Sequence, residues 1–197
     1  MTTAGPGLRE RKKQATRTHI AAVATRLFVE QGFEATTIAQ IAERAEVAKM
    51  TVTNYFALKE DLLFDRAPEI IALLADAVAE RAAGSTPEQA VAAVYRRRLE
   101  ERWPALAFVG LEFARTVEAS PALRTRERTM MLEQEDALAA VLVAESDDEV
   151  PARVEAARLA GIFRVLYFEA RRRVLAGEDS EAVVTALESA CERIWSP

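Results

Sequence analysis

The sequence is short of the residues that build covalent and metal staples. Its 197 residues include one cysteine, Cys191, and one histidine, His19. A single cysteine excludes an intrachain disulfide and fits a reducing cytoplasm. His19 has no Cys, Asp or Glu set at ligand spacing around it, so no metal site is expected. No serine or cysteine has a histidine base other than His19, and no glycine-rich phosphate loop occurs, so catalytic residues and cofactors are expected to be absent. The acidic run Glu145, Asp147, Asp148 and Glu149 lacks the alternate spacing of a calcium loop and is expected to be solvated. No uncharged apolar run approaches the roughly 18 residues of a membrane span. The opening MTTAGPGLRERKKQ has no apolar core behind its charges, so no secretory leader is expected. A cytoplasmic protein with no membrane partner is expected.

Glycine and proline are also scarce, at seven each, and no segment alternates β-branched residues with polar ones. Alanine, leucine, glutamate and arginine dominate a chain that is 50% hydrophobic, which predicts an all-α protein with a sizeable core. The net charge of -5 conceals an asymmetry. Residues 1–66 hold 10 basic against 8 acidic side chains, whereas 67–197 hold 16 against 23. Arg9, Arg11, Lys12, Lys13, Arg17 and Arg26 meet only Glu10 before Glu30, a basic arm of the kind that neutralises phosphates.

Beside that arm, residues 33–63 read FEATTIAQIAERAEVAKMTVTNYFALKEDLL. Thr37, with Gln40 three residues on, predicts a capping box opening a short helix whose Ile38, Ile41, Ala42 and Ala45 share a face. A second short helix, Lys49 to Phe56, keeps Val52 and Phe56 four apart for the core and gathers Met50, Thr53 and Asn54 on another face. Two short helices around a tight turn form a helix-turn-helix. In such a unit Asn54 can pair its amide with adenine, while Met50 or the Thr53 methyl can pack on a thymine methyl. Lys49, Thr51, Tyr55, Lys59 and Thr37 lie on the flanks, where donors to phosphate belong. One such helix reads few base pairs, so a dimer on a near-palindromic DNA site is expected.

These residues resemble the TetR family of one-component transcriptional regulators. The likeness spans residues 9–63 and rests on RLFVEQGFEATTIAQIA, the turn AEVAK, the short helix MTVTNYF and the KEDLL that follows. It implies a DNA-binding regulator, most often a repressor released by a small molecule, and phosphate contacts at Tyr55 and Lys59. Two departures stand out. The family usually has Gly where Glu46 stands, and often Gly and Tyr where Met50 and Thr53 stand. The first bears on the turn, since a non-glycine residue in the left-handed region costs roughly 1 kcal/mol. The second bears on the operator sequence.

The chain is read as a disordered tail at 1–8, a helix-turn-helix domain at 9–57 and a helical regulatory and dimerisation domain at 58–197, with about nine helices. The first helix carries Ile20, Val23, Ala24, Leu27 and Phe28 at helical spacing and stops at Gly32. A fourth helix is predicted from Leu58 to Ala83, with Pro68 as a kink or early break. At about 25 residues it would reach on the order of 35–40 Å, a rod able to transmit a tilt. Five more are predicted at 87–102, 104–119, 121–145, 151–176 and 180–195, with prolines at their starts.

In the last two, Ala157, Ala160, Gly161, Ile162, Phe163, Val165 and Leu166, with Val183, Leu187, Ala190, Cys191 and Ile194, predict the faces of a four-helix homodimer bundle. Trp103, Phe108, Phe113, Met131, Phe163 and Tyr167 are candidates to line an apolar effector cavity, with Arg115, Gln134 or Arg164 as polar groups. The stretch VEASPALRTRERTMMLEQEDALAAVLV is loosely similar to actinobacterial members whose effectors include acyl-CoA thioesters, so an acyl-CoA or another hydrophobic compound is the expected effector. The alternative reading is a helical interaction or ligand-binding protein that no longer reads DNA. The substituted turn at Glu46 is its one encouragement.

Overall fold

The computed structural model describes residues 7–102 and 110–195. Trp103, Phe108, the predicted tail up to residue 6 and the predicted helix start at Pro104 lie outside the described residues. Those residues form nine α-helices and no strand: α1 Leu8–Gln31, α2 Ile38–Arg44, α3 Lys49–Tyr55, α4 Ala67–Ala79, α5 Pro87–Glu100, α6 Leu111–Ala119, α7 Pro121–Ala144, α8 Glu149–Leu175 and α9 Ser180–Ile194. A single 3-10 turn, Glu60–Leu62, lies between α3 and α4. The all-α class read from composition is what the chain adopts.

Two compact units meet between Asp65 and Arg66. In the first, the α1 stripe of Ile20, Val23, Ala24, Leu27 and Phe28 is buried; α1 packs on α2, which buries Ile41 and Ala42, and α2 packs on α3, which buries Val52. Each such aliphatic or aromatic side chain stabilises by about 1.5–3 kcal/mol when fully buried. Gly32 ends α1 at φ +87, donating its N–H to the Phe28 carbonyl. Thr36, absent from the sequence reading, is fully buried and its hydroxyl donates to the Gly32 carbonyl at 2.8 Å, closing that corner.

The predicted helix from Leu58 to Ala83 is not one rod. Leu62, Leu63 and Phe64 fold into the first unit's core, and the helix begins only at Ala67. Pro68 sits in its first turn, because a proline further inside would lose a backbone hydrogen bond and clash with the preceding turn. At the other end the Arg81 side chain donates to the Val78 carbonyl of the last turn at 2.6 Å and to the Ser85 carbonyl of the following loop at 3.1 Å. The element is 13 residues, about 20 Å rather than 35–40.

In the second unit α7 is central, packed on α4 along one side and on α8 along the other. Leu123, Met130, Met131, Leu138 and Leu142 bury its inner face. Its start is fixed by Ser120, whose hydroxyl accepts from the Leu123 N–H at 3.3 Å, with Pro121 in the first turn. α5 opens on a complete capping box between Thr86 and Gln89. Asp148 and Asp179 cap α8 and α9. Beside the capping Ser120, two polar side chains of α7 are buried in this interior. Gln134 donates its amide to the Ile70 carbonyl of α4, and Glu127 is buried against Tyr167 and Arg171 of α8. Among the described residues no helix is long and apolar enough to cross a membrane, and no His, Cys, Asp and Glu group has metal-binding geometry.

Candidate nucleic-acid interface

The interface is assembled from α2, the turn after it, and α3. Thr37 caps α2: its hydroxyl accepts from the Gln40 N–H at 3.2 Å, and the Gln40 side chain accepts from the Thr37 N–H at 2.8 Å. The capping box predicted from the spacing is present, and it leaves Thr37 exposed at the helix start. The turn is a Schellman motif. The Val47 N–H reaches back to the Ala42 carbonyl at 2.9 Å and the Glu46 N–H to Glu43 at 3.1 Å. That motif needs a left-handed residue after the helix, and Glu46 supplies it at φ +55. The turn is thus the ordinary one, made with a residue that pays a steric cost.

α3 is anchored by Val52, fully buried, and by Phe56 at its C-terminal end. Anchoring on that side fixes what faces outward. Met50 is 69% exposed, and Thr53 and Asn54 are exposed beside it. The Thr53 hydroxyl donates to the Met50 carbonyl at 3.1 Å, so it presents a methyl group and acceptor lone pairs. The Asn54 amide offers both a donor and an acceptor, the pattern that matches an adenine edge. Lys49 is exposed, and Thr51 and Tyr55 are half-buried on the flanks of the same helix.

Lys59 is also half-buried, with its ammonium 4.1 Å from the centroid of Phe33 and 6.0 Å from that of Phe28. A cation over a ring face is held in place at little cost to its charge. Of the basic arm, Arg9, Arg11, Lys12 and Lys13 stand exposed on the first turns of α1. Arg17, counted with them from the sequence, is turned inward.

The effector candidates are less uniform. Met131, Phe163 and Tyr167 are buried, Phe113 is half-buried, and Trp103 and Phe108 lie outside the described residues. Tyr167 donates its hydroxyl to the Glu127 carboxylate at 3.0 Å. Glu127, only 1% exposed, also receives Arg171. Burial pushes the Glu127 carboxyl above its ordinary range, and the Arg171 guanidinium and the Tyr167 hydroxyl pull the other way. Glu127 is a buried polar group that its charge alone does not reveal, although its register with Leu123, Met130 and Gln134 places it on the inner face of α7. A surface groove of about 640 Å³ along α4 and α5 is lined by residues including Arg81, Gln89 and Arg97, and by none of the effector candidates.

The predicted dimer faces divide in the same way. Ala160, Phe163, Leu166, Val183, Leu187 and Cys191 are core of the single chain. Val165 is 65% exposed, in line with exposed Val150 and Val154 on the same helix, and Ile194 is exposed on α9. Ala157, Gly161, Ile162 and Ala190 are half-buried between the two sets. Helical spacing alone does not tell these faces apart, because α8 is apolar over most of its circumference.

Comparison with known proteins follows this geometry. The family model described as bacterial regulatory proteins, tetR family, matches residues 20–65. The HTH-type transcriptional regulator TcmR of Streptomyces glaucescens is 33% identical over 202 residues, covering 98% of this chain and 88% of that protein. Among solved structures, the SmeT–triclosan complex aligns at TM-score 0.59 and 18% identity, covering 92% of this chain and 91% of that one. FadR from Bacillus subtilis in complex with stearoyl-CoA aligns at TM-score 0.54 and 18% identity, covering 91% and 97%. These two share the fold.

Proposed function

Because this chain belongs to the TetR family of bacterial regulatory proteins, and so is a DNA-binding transcriptional regulator, we propose that it is a homodimeric repressor of a near-palindromic operator. Its release comes when an apolar small molecule occupies the helical unit beyond Arg66. The observation that carries the DNA half of this reading is the outward face of α3. Met50, Thr53 and Asn54 stand free on a helix whose opposite side is pinned by Val52 and Phe56. These three read base edges; Lys49, Thr51, Tyr55, Lys59 and Thr37 hold phosphates. Lys59 is held over the Phe33 ring and carries its charge beside the same helix.

The exposed Val150, Val154 and Val165 on α8, with Ile194 exposed on α9, supply the dimer surface, since large apolar side chains left open on the last two helices suit burial against a second copy. An apolar effector, an acyl-CoA or another hydrophobic compound, suits an interior of Met131, Phe163 and Tyr167. FadR, seen with stearoyl-CoA, and SmeT, seen with triclosan, support that class. The ligand favours an arrangement of the two α3 helices that fits DNA poorly, and the coupling is bounded by its differential affinity for the two states. The reading assigns the protein no catalytic step.

Selection of bound duplexes from a random pool tests it. An enriched inverted repeat, with half-sites about one helical turn apart or more, is the expected result. Failure to enrich any sequence would leave the alternative of a helical ligand-binding protein that does not read DNA.

A further inference from the structure

We infer that Arg17 is a positioning residue that holds the reading helix at its C-terminal end, and that it is not one of the phosphate contacts of the basic arm. Its guanidinium reaches 38 residues along the chain to donate from Nη1 to the Tyr55 carbonyl at 2.6 Å. From Nη2 it donates to the Asp65 carbonyl at 3.3 Å. Its central carbon lies 4.2 Å from the centroid of the Phe56 ring. One side chain on α1 therefore joins the last residue of α3, the residue after it and the end of the first unit.

Three physical features make this arrangement effective. Tyr55 is the last residue of α3, so its carbonyl is one of those a helix leaves without a partner, and it sits at the negative end of the helix dipole. A cation placed there satisfies both. α3 has only seven residues, so its own backbone hydrogen bonds hold it weakly and its direction depends on contacts at its ends. At its start Ala48 provides no side-chain cap. Arg17 and the buried Val52 and Phe56 are thus what fixes the angle at which Met50, Thr53 and Asn54 are presented. Arginine suits the task because its flat fork offers two donors in one plane and stacks on an aromatic ring, which lysine does not.

This inference rests on the reading of α3 as the DNA-reading helix, and the experiment separates the two. The probes are the duplex that the wild-type protein selects from a random pool and a scrambled duplex of equal length. Affinities of the full-length protein for both are measured across a salt series for wild type, Arg17→Gln and Arg17→Lys.

Arg17→Gln should lose about tenfold on the selected duplex, the scale of one charge-assisted hydrogen bond. Its affinity for scrambled DNA and its salt slope should be unchanged. Arg17→Lys, keeping the charge and one carbonyl, should fall between. Amide exchange over residues 49–56 should quicken in Arg17→Gln. Should Arg17→Gln unfold the first unit, Arg17→Lys carries the same test. An equal loss on both duplexes with a salt slope reduced by about 0.9 per subunit would make Arg17 a phosphate contact and overturn the inference. Unchanged affinity for both duplexes in both variants would overturn it too. If the wild type selects no sequence, the DNA reading fails first, and the positioning role with it.

Discussion

Glu46→Gly should stabilise the first unit, and the turn's geometry sets by how much. Glu46 holds φ +55 at the position after α2, where a side chain crowds the following carbonyl. The cost of that conformation is about 1–2 kcal/mol for a residue with a Cβ. Replacing it with glycine removes the cost but frees the unfolded chain, which returns about 0.4–1 kcal/mol. The exposed Glu46 side chain makes no hydrogen bond or ion pair in the described structure, so little else is lost. The net expectation is about 0.5–1 kcal/mol of added stability.

An internal control exists in the second unit. Gly177 closes α8 in the same motif, with Glu178 N–H to Arg173 and Gly177 N–H to Val174, at φ +84. An added Cβ there meets nothing within 4 Å, so Gly177→Ala should destabilise through the backbone alone, by about 1 kcal/mol. Both tryptophans lie beyond Arg66, so tryptophan fluorescence has no reporter in the first unit. Hydrogen exchange read peptide by peptide is the suitable assay. Exchange over residues 38–56 should slow by a few-fold in Glu46→Gly. Faster exchange there, beside the expected loss in Gly177→Ala, would refute the claim that backbone strain governs this turn.

Three further outcomes are expected. Asn54→Ala should relax specificity at one position per half-site at a cost of about 1–3 kcal/mol, whereas Lys59→Ala should weaken all duplexes alike; binding to a panel of single-base variants of the selected duplex distinguishes them. Arg171→Met leaves Glu127 buried without its cation and should cost about 3 kcal/mol at neutral pH by urea denaturation. Because the folded-state pKa of Glu127 is raised above its unfolded value, that penalty should be full above the folded pKa and shrink as the pH falls into the ordinary glutamate range and the carboxyl takes up a proton. Cys191, 1% exposed and with its thiol pushed up by burial to about 11, should resist a thiol reagent at pH 8 until the chain is unfolded, when it should react at the rate of a free cysteine.

What the sequence revealed depended on whether a feature was local. The α1 stripe, the Thr37–Gln40 capping box, the turn at Glu46 and the prolines opening α5 and α7 are set by residues within a few positions of one another, and each is legible in the chain. The break between the 3-10 turn and α4 was not. Leu62, Leu63 and Phe64 continue a plausible helical pattern, and only the core they enter shows why the chain stops being helical there. The inward turn of Arg17 escaped for a related reason. An arginine in a basic run reads as one more phosphate contact, and its partners Tyr55 and Asp65 lie far along the sequence. The predicted face on α8 divides, because the helix packs on α7 and α9 yet also keeps exposed valines. Spacing counts apolar residues, and it does not say which neighbour covers them.

The salt dependence of binding to the selected duplex tests the central claim most directly. If α3 reads DNA while Thr37, Thr51 and Tyr55 hold phosphates and Lys49, Lys59 and the exposed arm of Arg9, Arg11, Lys12 and Lys13 neutralise them in a dimer, about six to ten phosphates are neutralised, and the logarithm of the association constant should fall linearly with log salt at a slope of roughly -5 to -9. A flat response would contradict the account.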